Sequence, residues 1–169
     1  IVALNVNTTG GVNTAIGNNA LAANTTASYN TAVGGSALTA NTTGSQLVAV
    51  GSRALESNTT ASNNVGIGYS AVRETTTGAN NVGIGVDSLQ QNTTGASNTA
   101  IGTGTLRDNT TAGNAVAVGY EALKHNTTGA SNTGVGNRAL YVNTTGYNNV
   151  AVGIASLDAN TTGLENTAT

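Results

Sequence analysis

Residues suited to chemistry are few and scattered along this chain. A nucleophile–base–acid set needs a His or Lys beside a carboxylate, and the one histidine, His125, stands beside Lys124. It is single and occupies a variable position, so it reads as a surface residue. The chain has no cysteine, which excludes disulfides, thiol catalysis and Cys-ligated zinc or iron–sulfur. No acidic position recurs to give the paired carboxylates of a glycosidase. A rod-shaped polymer-cleaving enzyme would break its regularity at its active site, and no stretch of this sequence does so. Asp87, Asp108 and Asp158 occur in differing contexts, so the fixed turn aspartates of a calcium roll are missing. The expectation is a non-enzyme with no catalytic, cofactor-binding or metal-ligating residue.

Two repetitive chemistries remain. A flat threonine array suits ice or glycan binding, and a Thr pair recurs throughout. Adjacent residues of a strand face opposite ways, so only one of each pair can form an outward rank. Its companion would be the preceding Asn or a variable residue two positions after the pair. The tripeptide N-T-T is also an N-glycosylation acceptor, and it occurs nine times. An Asn stacked inward would be beyond a transferase's reach after folding.

The composition explains why so little chemistry is available. Only 7% of the 169 residues are charged, against roughly 25% in ordinary domains. Pro, Met, Phe and Trp are absent, five Tyr are the only aromatics, and Gly numbers 23. Five Lys and Arg, with a net charge of −2, give no basic footprint for nucleic acid. No apolar run is long enough to span a membrane as a helix. What is left is Asn, Thr, Gly and small aliphatics, in a strict repeat.

Tetrads of the form N-T-T-G begin at Asn7, Asn24, Asn41, Asn58, Thr75, Asn92, Asn109, Asn126, Asn143 and Asn160, at a constant interval of 17. The unit is N-T-T-G-x-x-N-[TV]-[AG]-[VI]-G-x-x-A-L-x-x. Nine complete units span residues 7–159, residues 1–6 are the tail of another, and 160–169 open the next. The expected organisation is a single repeat region, 1–169, cut from a longer chain. Strict short periodicity marks a solenoid. Recurrent Gly, Thr and Val disfavour helix, and Gly is not at every third position as in collagen. The fold class expected is all-β: a parallel β-solenoid with one 17-residue repeat per coil, its short strands joined by turns at Gly and Asn.

Columns of the repeat carry distinct expectations. Positions 8 (Thr or Val) and 10 (Ile or Val) share one strand face, and position 9, always Ala or Gly, takes the other. Positions 10 and 15, the latter Leu or Val72, are assigned to the coil interior. The Ala/Gly face must then lie against the opposite wall of a narrow coil or a neighbouring chain. Position 11 is Gly from Gly17 to Gly153, requiring a positive φ or a close backbone approach. Position 4 admits Ala27, Ala61 and Ala112, so a left-handed turn is not expected there. Asn at positions 1 and 7 either stacks in ladders or caps its own turn. All charged residues and all Tyr fall in positions 5, 6, 12, 13, 16 and 17, the expected solvent edges. At roughly 4.8 Å per coil, ten coils form a rod of about 48 Å. So few large apolar side chains per coil favour association of parallel chains through a second face.

The unit resembles the head repeats of trimeric autotransporter adhesins, built on N-S-V-A-I-G-type strands. It looks closer still to the 17-residue repeats of tail-fibre-like surface proteins. The stretches that carry the likeness are Asn30–Gly34, Asn64–Gly68 and Asn98–Gly102. The period is longer than that usual in adhesin heads. The resemblance implies a left-handed β-roll, a homotrimer of parallel chains, and an extracellular, cell-surface or virion fibre. It implies a shaft or adhesive role, with a surface glycan or host receptor as partner. It implies no cofactor, no nucleic acid and no membrane span in this stretch.

Overall fold

A computed structural model of the chain describes residues 2–169, so Ile1 of the expected leading partial unit lies outside the described residues. Ten strands run from β1 (Thr14–Ile16) through β2 (Thr31–Val33) to β10 (Thr167–Ala168), one at positions 8–10 of each repeat. They form one parallel sheet in strict sequence order. Each residue pairs with its counterpart 17 further on, as Val82 with Thr99 and Ile84 with Ile101. The expected parallel β-solenoid is therefore present, with a single strand per coil, three residues long in β1 to β9 and two in β10.

The rest of each coil is not loop in the energetic sense. Its backbone is laddered to the next coil all the way round. The Leu89 N–H donates to Thr105 O (2.9 Å), Gln91 to Arg107 O (3.0 Å), and Thr93 to Thr110 O (2.9 Å). Backbone polar groups that would otherwise be left without partners in a tight coil are thus satisfied by stacking.

The interior is narrow, and this inverts one expectation. Position 9 points inward, with Ala32, Ala49, Ala100, Ala117 and Ala151 fully buried. Against them lies the Leu column, Leu21, Leu38, Leu55, Leu89, Leu106, Leu123 and Leu140, all at 0% exposure. The small face of the strand therefore meets the opposite wall of its own coil. Positions 8 and 10 consequently face outward, which corrects the assignment of position 10 to the interior. Ile67 and Ile101 are 37% and 39% exposed. The physical reason is pleat geometry. Once Leu fills the lumen, only Ala or Gly fits opposite it, and the strand's alternate residues must point away. At Gly66 an added Cβ would lie 3.2 Å from Leu55 Cγ.

The invariant Gly of position 11 satisfies both expected reasons at once. Gly85 has φ +132°, and an added Cβ would lie 2.6 Å from the carbonyl carbon and oxygen of Gly102 in the next coil. Position 4, by contrast, shows no positive φ, as its tolerance of Ala required. Three corners per coil that the sequence does not advertise are left-handed, on non-Gly residues except at Gly104. They are position 6 (Asn80, φ 61°), position 13 (Asp87, φ 54°) and position 15 (Leu89, φ 51°). Asn or Ser takes the first of these in six coils, while Val12, Tyr29, Gln46 and Glu165 adopt it in the others. The Leu corner is held by burial of its side chain.

Gly85→Val should cost on the order of 3 kcal/mol or more, because it adds both left-handed strain and a clash with backbone. Tyr120→Ser, on an exposed edge, should change stability by no more than about 0.5 kcal/mol. Urea denaturation of the two variants checks the pair, and equal losses would contradict the arrangement of inside and outside.

Candidate functional site

Three longitudinal features of the rod are candidates for function: an internal amide ladder, a charged edge and an outward apolar strip. The ladder comes first because it holds the other two in register. Asn at position 1 is buried along the rod, as Asn41, Asn92, Asn109 and Asn126. Each side-chain N–H2 group serves two acceptors. Asn109 Nδ2 donates to Asn92 Oδ1 of the preceding coil (2.8 Å) and to Ala112 O of its own turn (3.1 Å). The two roles expected as alternatives, coil-to-coil ladder and turn cap, are filled by one residue. Position 7 forms a second ladder. Asn81 Oδ1 accepts from the Asn98 N–H (3.0 Å), while Asn81 Nδ2 donates to Gly95 O (2.8 Å). Where Leu47 and Ala115 replace Asn, both remain buried and only the backbone donor to the preceding Asn persists. The N-T-T asparagines thus lie inward with their amide groups engaged.

The threonines divide as strand alternation demanded. Position 2 hydroxyls turn back on the backbone, as Thr93 Oγ1 donating to Thr110 O (3.0 Å). Position 3, from Thr9 to Thr162, is exposed in every coil. Burial of the Asn at position 1 removes it as the second rank of a threonine array.

The charged edge is made by positions 13, 16 and 17. Its pairs are mostly local: Arg53 with Glu56 (2.9 Å), Arg73 with Glu74, and Lys124 with Glu121 (2.5 Å). His125 is brought not to Lys124 but to Asp108 of the preceding coil, Nδ1 to Oδ2 at 2.7 Å. Its ring meets Tyr141 edge-on at 4.8 Å between centroids, and the Arg138 guanidinium lies 4.0 Å over the Tyr141 ring. Asp108 also receives Arg107 Nε at 2.8 Å. Burial pushes the Asp108 carboxyl up, but hydrogen bonds from Arg107 and His125 outweigh it and hold the group below its usual range. Among the described residues, no Ser or Thr hydroxyl hydrogen-bonds the His125 ring. Its Asp partner, 17 residues away, was visible only as a neighbour in the repeat register.

The third feature is the strand face whose position-10 residues the sequence placed in the interior. Ile16, Val50, Ile67, Ile101, Val116, Val150 and Val152 are exposed large apolar residues of positions 8 and 10. Tyr69, Val86, Tyr120 and Ile154 of position 12, past the Gly corner, and Tyr29 and Tyr147 before the strand are exposed on the flanking edges, outside the strip. The strip runs the length of the sheet. At roughly 48 Å by about 10 Å, it covers on the order of 500 Å², near the upper end of what monomers leave exposed.

Asn109→Ala should cost about 2–3 kcal/mol in urea denaturation, because it leaves buried amide partners in two neighbouring coils unsatisfied. Since the folded-state pKa of Asp108 is depressed, its contribution is complete above the unfolded-chain value of about 4 and is lost as pH falls through the folded value. Asp108→Asn should therefore reduce the loss of stability measured between about pH 5 and pH 2.

No family model matches this chain, and neither the curated proteins nor the solved structures compared with it include a detectable relative. The functional reading therefore rests on the ladder, the edge and the strip.

Proposed function

We propose that this chain is a structural shaft segment of an extracellular fibre or adhesin, left-handed, non-catalytic and homotrimeric, with parallel chains packed through the outward strip. The observation that carries this reading is the strip itself: an Ile or Val column at position 10, with Val alternating with Thr at position 8, on a regular sheet with the charges kept to another edge. A lone rod would leave that surface in water. Three rods with their strips facing inward would bury it, and would add the second apolar core that each narrow coil lacks. The likeness of the repeat to tail-fibre and trimeric adhesin units supports the same arrangement. The shaft's role is mechanical, spacing a tip from a surface, with weak contacts to a surface glycan or host receptor multiplied along its length.

A second reading, ice or glycan binding, is supported by the unbroken column of exposed Thr from Thr9 to Thr162.

Light scattering should give a particle of about three times the 16.5 kDa chain. Ile101→Glu should lower that mass to one chain while leaving the far-ultraviolet circular dichroism of the coil in place. A wild-type monomer would overturn the trimer, and thermal hysteresis in the same sample would favour the second reading.

A further inference from the structure

Departures from the column pattern are scattered singly along the rod, as at Leu47 and Ala115, but they cluster at one place. Two departures from the column pattern, at positions 1 and 15, meet at the boundary between the coil of residues 58–74 and the coil of residues 75–91, and two further features accompany them. Thr75 is the one residue of position 1 that is not Asn. Its hydroxyl accepts from Asn92 Nδ2 (3.1 Å), but it has no amide to offer Asn58, whose Oδ1 is met instead by Asn64 Nδ2 at 3.4 Å. The position-1 ladder is therefore interrupted at this boundary and continuous on both sides of it.

The second departure is Val72, which replaces Leu in the buried column and keeps that column's left-handed corner, with φ 52°. A β-branched residue at positive φ is a genuine backbone outlier, so strain is added where the ladder is broken. Third, Gly83 stands opposite in the Ala/Gly column. A Cβ there would lie 2.4 Å from Val72 Cγ2, whereas Leu38 and Leu89 each coexist with Ala49 and Ala100 in the following coil. Gly66 and Gly134 face Leu55 and Leu123 in the same way, but Val72 with Gly83 combines the smaller residue on both walls and packs less side chain across the boundary. Fourth, the Ser70 hydroxyl, like that of Ser156 further along, is buried with no hydrogen-bond partner, and Ser70 lies in the same turn as Val72. No other coil boundary combines these losses.

We propose that the boundary between residues 58–74 and 75–91 is a built-in joint of the rod, the place where neighbouring coils separate first while the stacks on either side stay intact. In a solenoid each coil touches only its neighbours, so a weak interface opens locally without unfolding the whole. Such a joint gives a stiff rod one defined point of bending or yielding under load, between segments held by continuous Asn ladders.

Amide exchange measured by NMR on the full chain tests this directly. The N–H groups of Val65, Val72 and Glu74, which bridge the joint, are compared with those of Thr99, Leu106 and Asp108, which bridge an equivalent boundary further along. The joint amides should exchange about tenfold faster. Val72→Leu with Thr75→Asn should bring the two sets to the same rate. Gly83→Ala should speed exchange across the joint in the native background and slow it in the Val72→Leu background. Equal exchange of the two sets in the native chain would overturn the joint, and that comparison needs no variant to fold. An effect of Gly83→Ala with the same sign in both backgrounds would also overturn it.

Discussion

A buried side-chain amide must find its partners inside the protein, and in this rod the nearest partners are the same residue one coil away. That constraint organises the molecule. Asn92 and Asn109 can be buried because each engages its neighbour and its own turn. Leaving such a group unpaired costs about 1–3 kcal/mol. A single coil is therefore untenable alone, and a stack becomes self-consistent. The strict 17-residue period follows, since inserting one residue would misplace both Asn ladders, the Thr93-type hydroxyl bonds and the backbone ladder together.

The ladders also decide what the coil can contain. Asn at positions 1 and 7 fills one end of the lumen, and Leu at position 15 fills the remainder. Little space is left opposite Leu, which is why position 9 is Ala or Gly. The aliphatic residues that an ordinary domain would place in its core are displaced to the outside of the sheet. The low charge and the absence of Phe, Met and Trp have the same origin: nothing larger than Leu fits inside. The edge is left to carry variation such as Asp108, His125, Arg138 and Tyr141 without disturbing the stack.

Much of this was legible in the sequence. The register, the parallel solenoid, the inward Leu column and the need for Gly at position 11 all followed from spacing and residue type. The sidedness of the strand did not. Hydrophobicity favoured Ile84 over Gly83 as the inward residue, and only the size limit set by the facing Leu reverses that choice. The signal was present in the complete exclusion of large side chains from position 9. The left-handed corners at position 6 were hinted at by Asn63, Asn80, Asn114 and Asn148, but nothing local marks Leu89 or Leu106 for such a conformation. There the tertiary burial of the side chain outweighs backbone preference. The pairing of His125 with Asp108 was likewise a product of stacking, invisible until the coil's geometry set residues 17 apart side by side.

Exchange of the asparagine side-chain amide protons, resolved by NMR, tests the central role of the ladder most directly. The Nδ2 protons of Asn92, Asn109 and Asn126, donated within the stack, should be protected. Those of Asn114 and Asn148, on exposed corners, should exchange at the rate of a free amide. Rapid exchange of all five would contradict an account in which stacked amides hold the rod together.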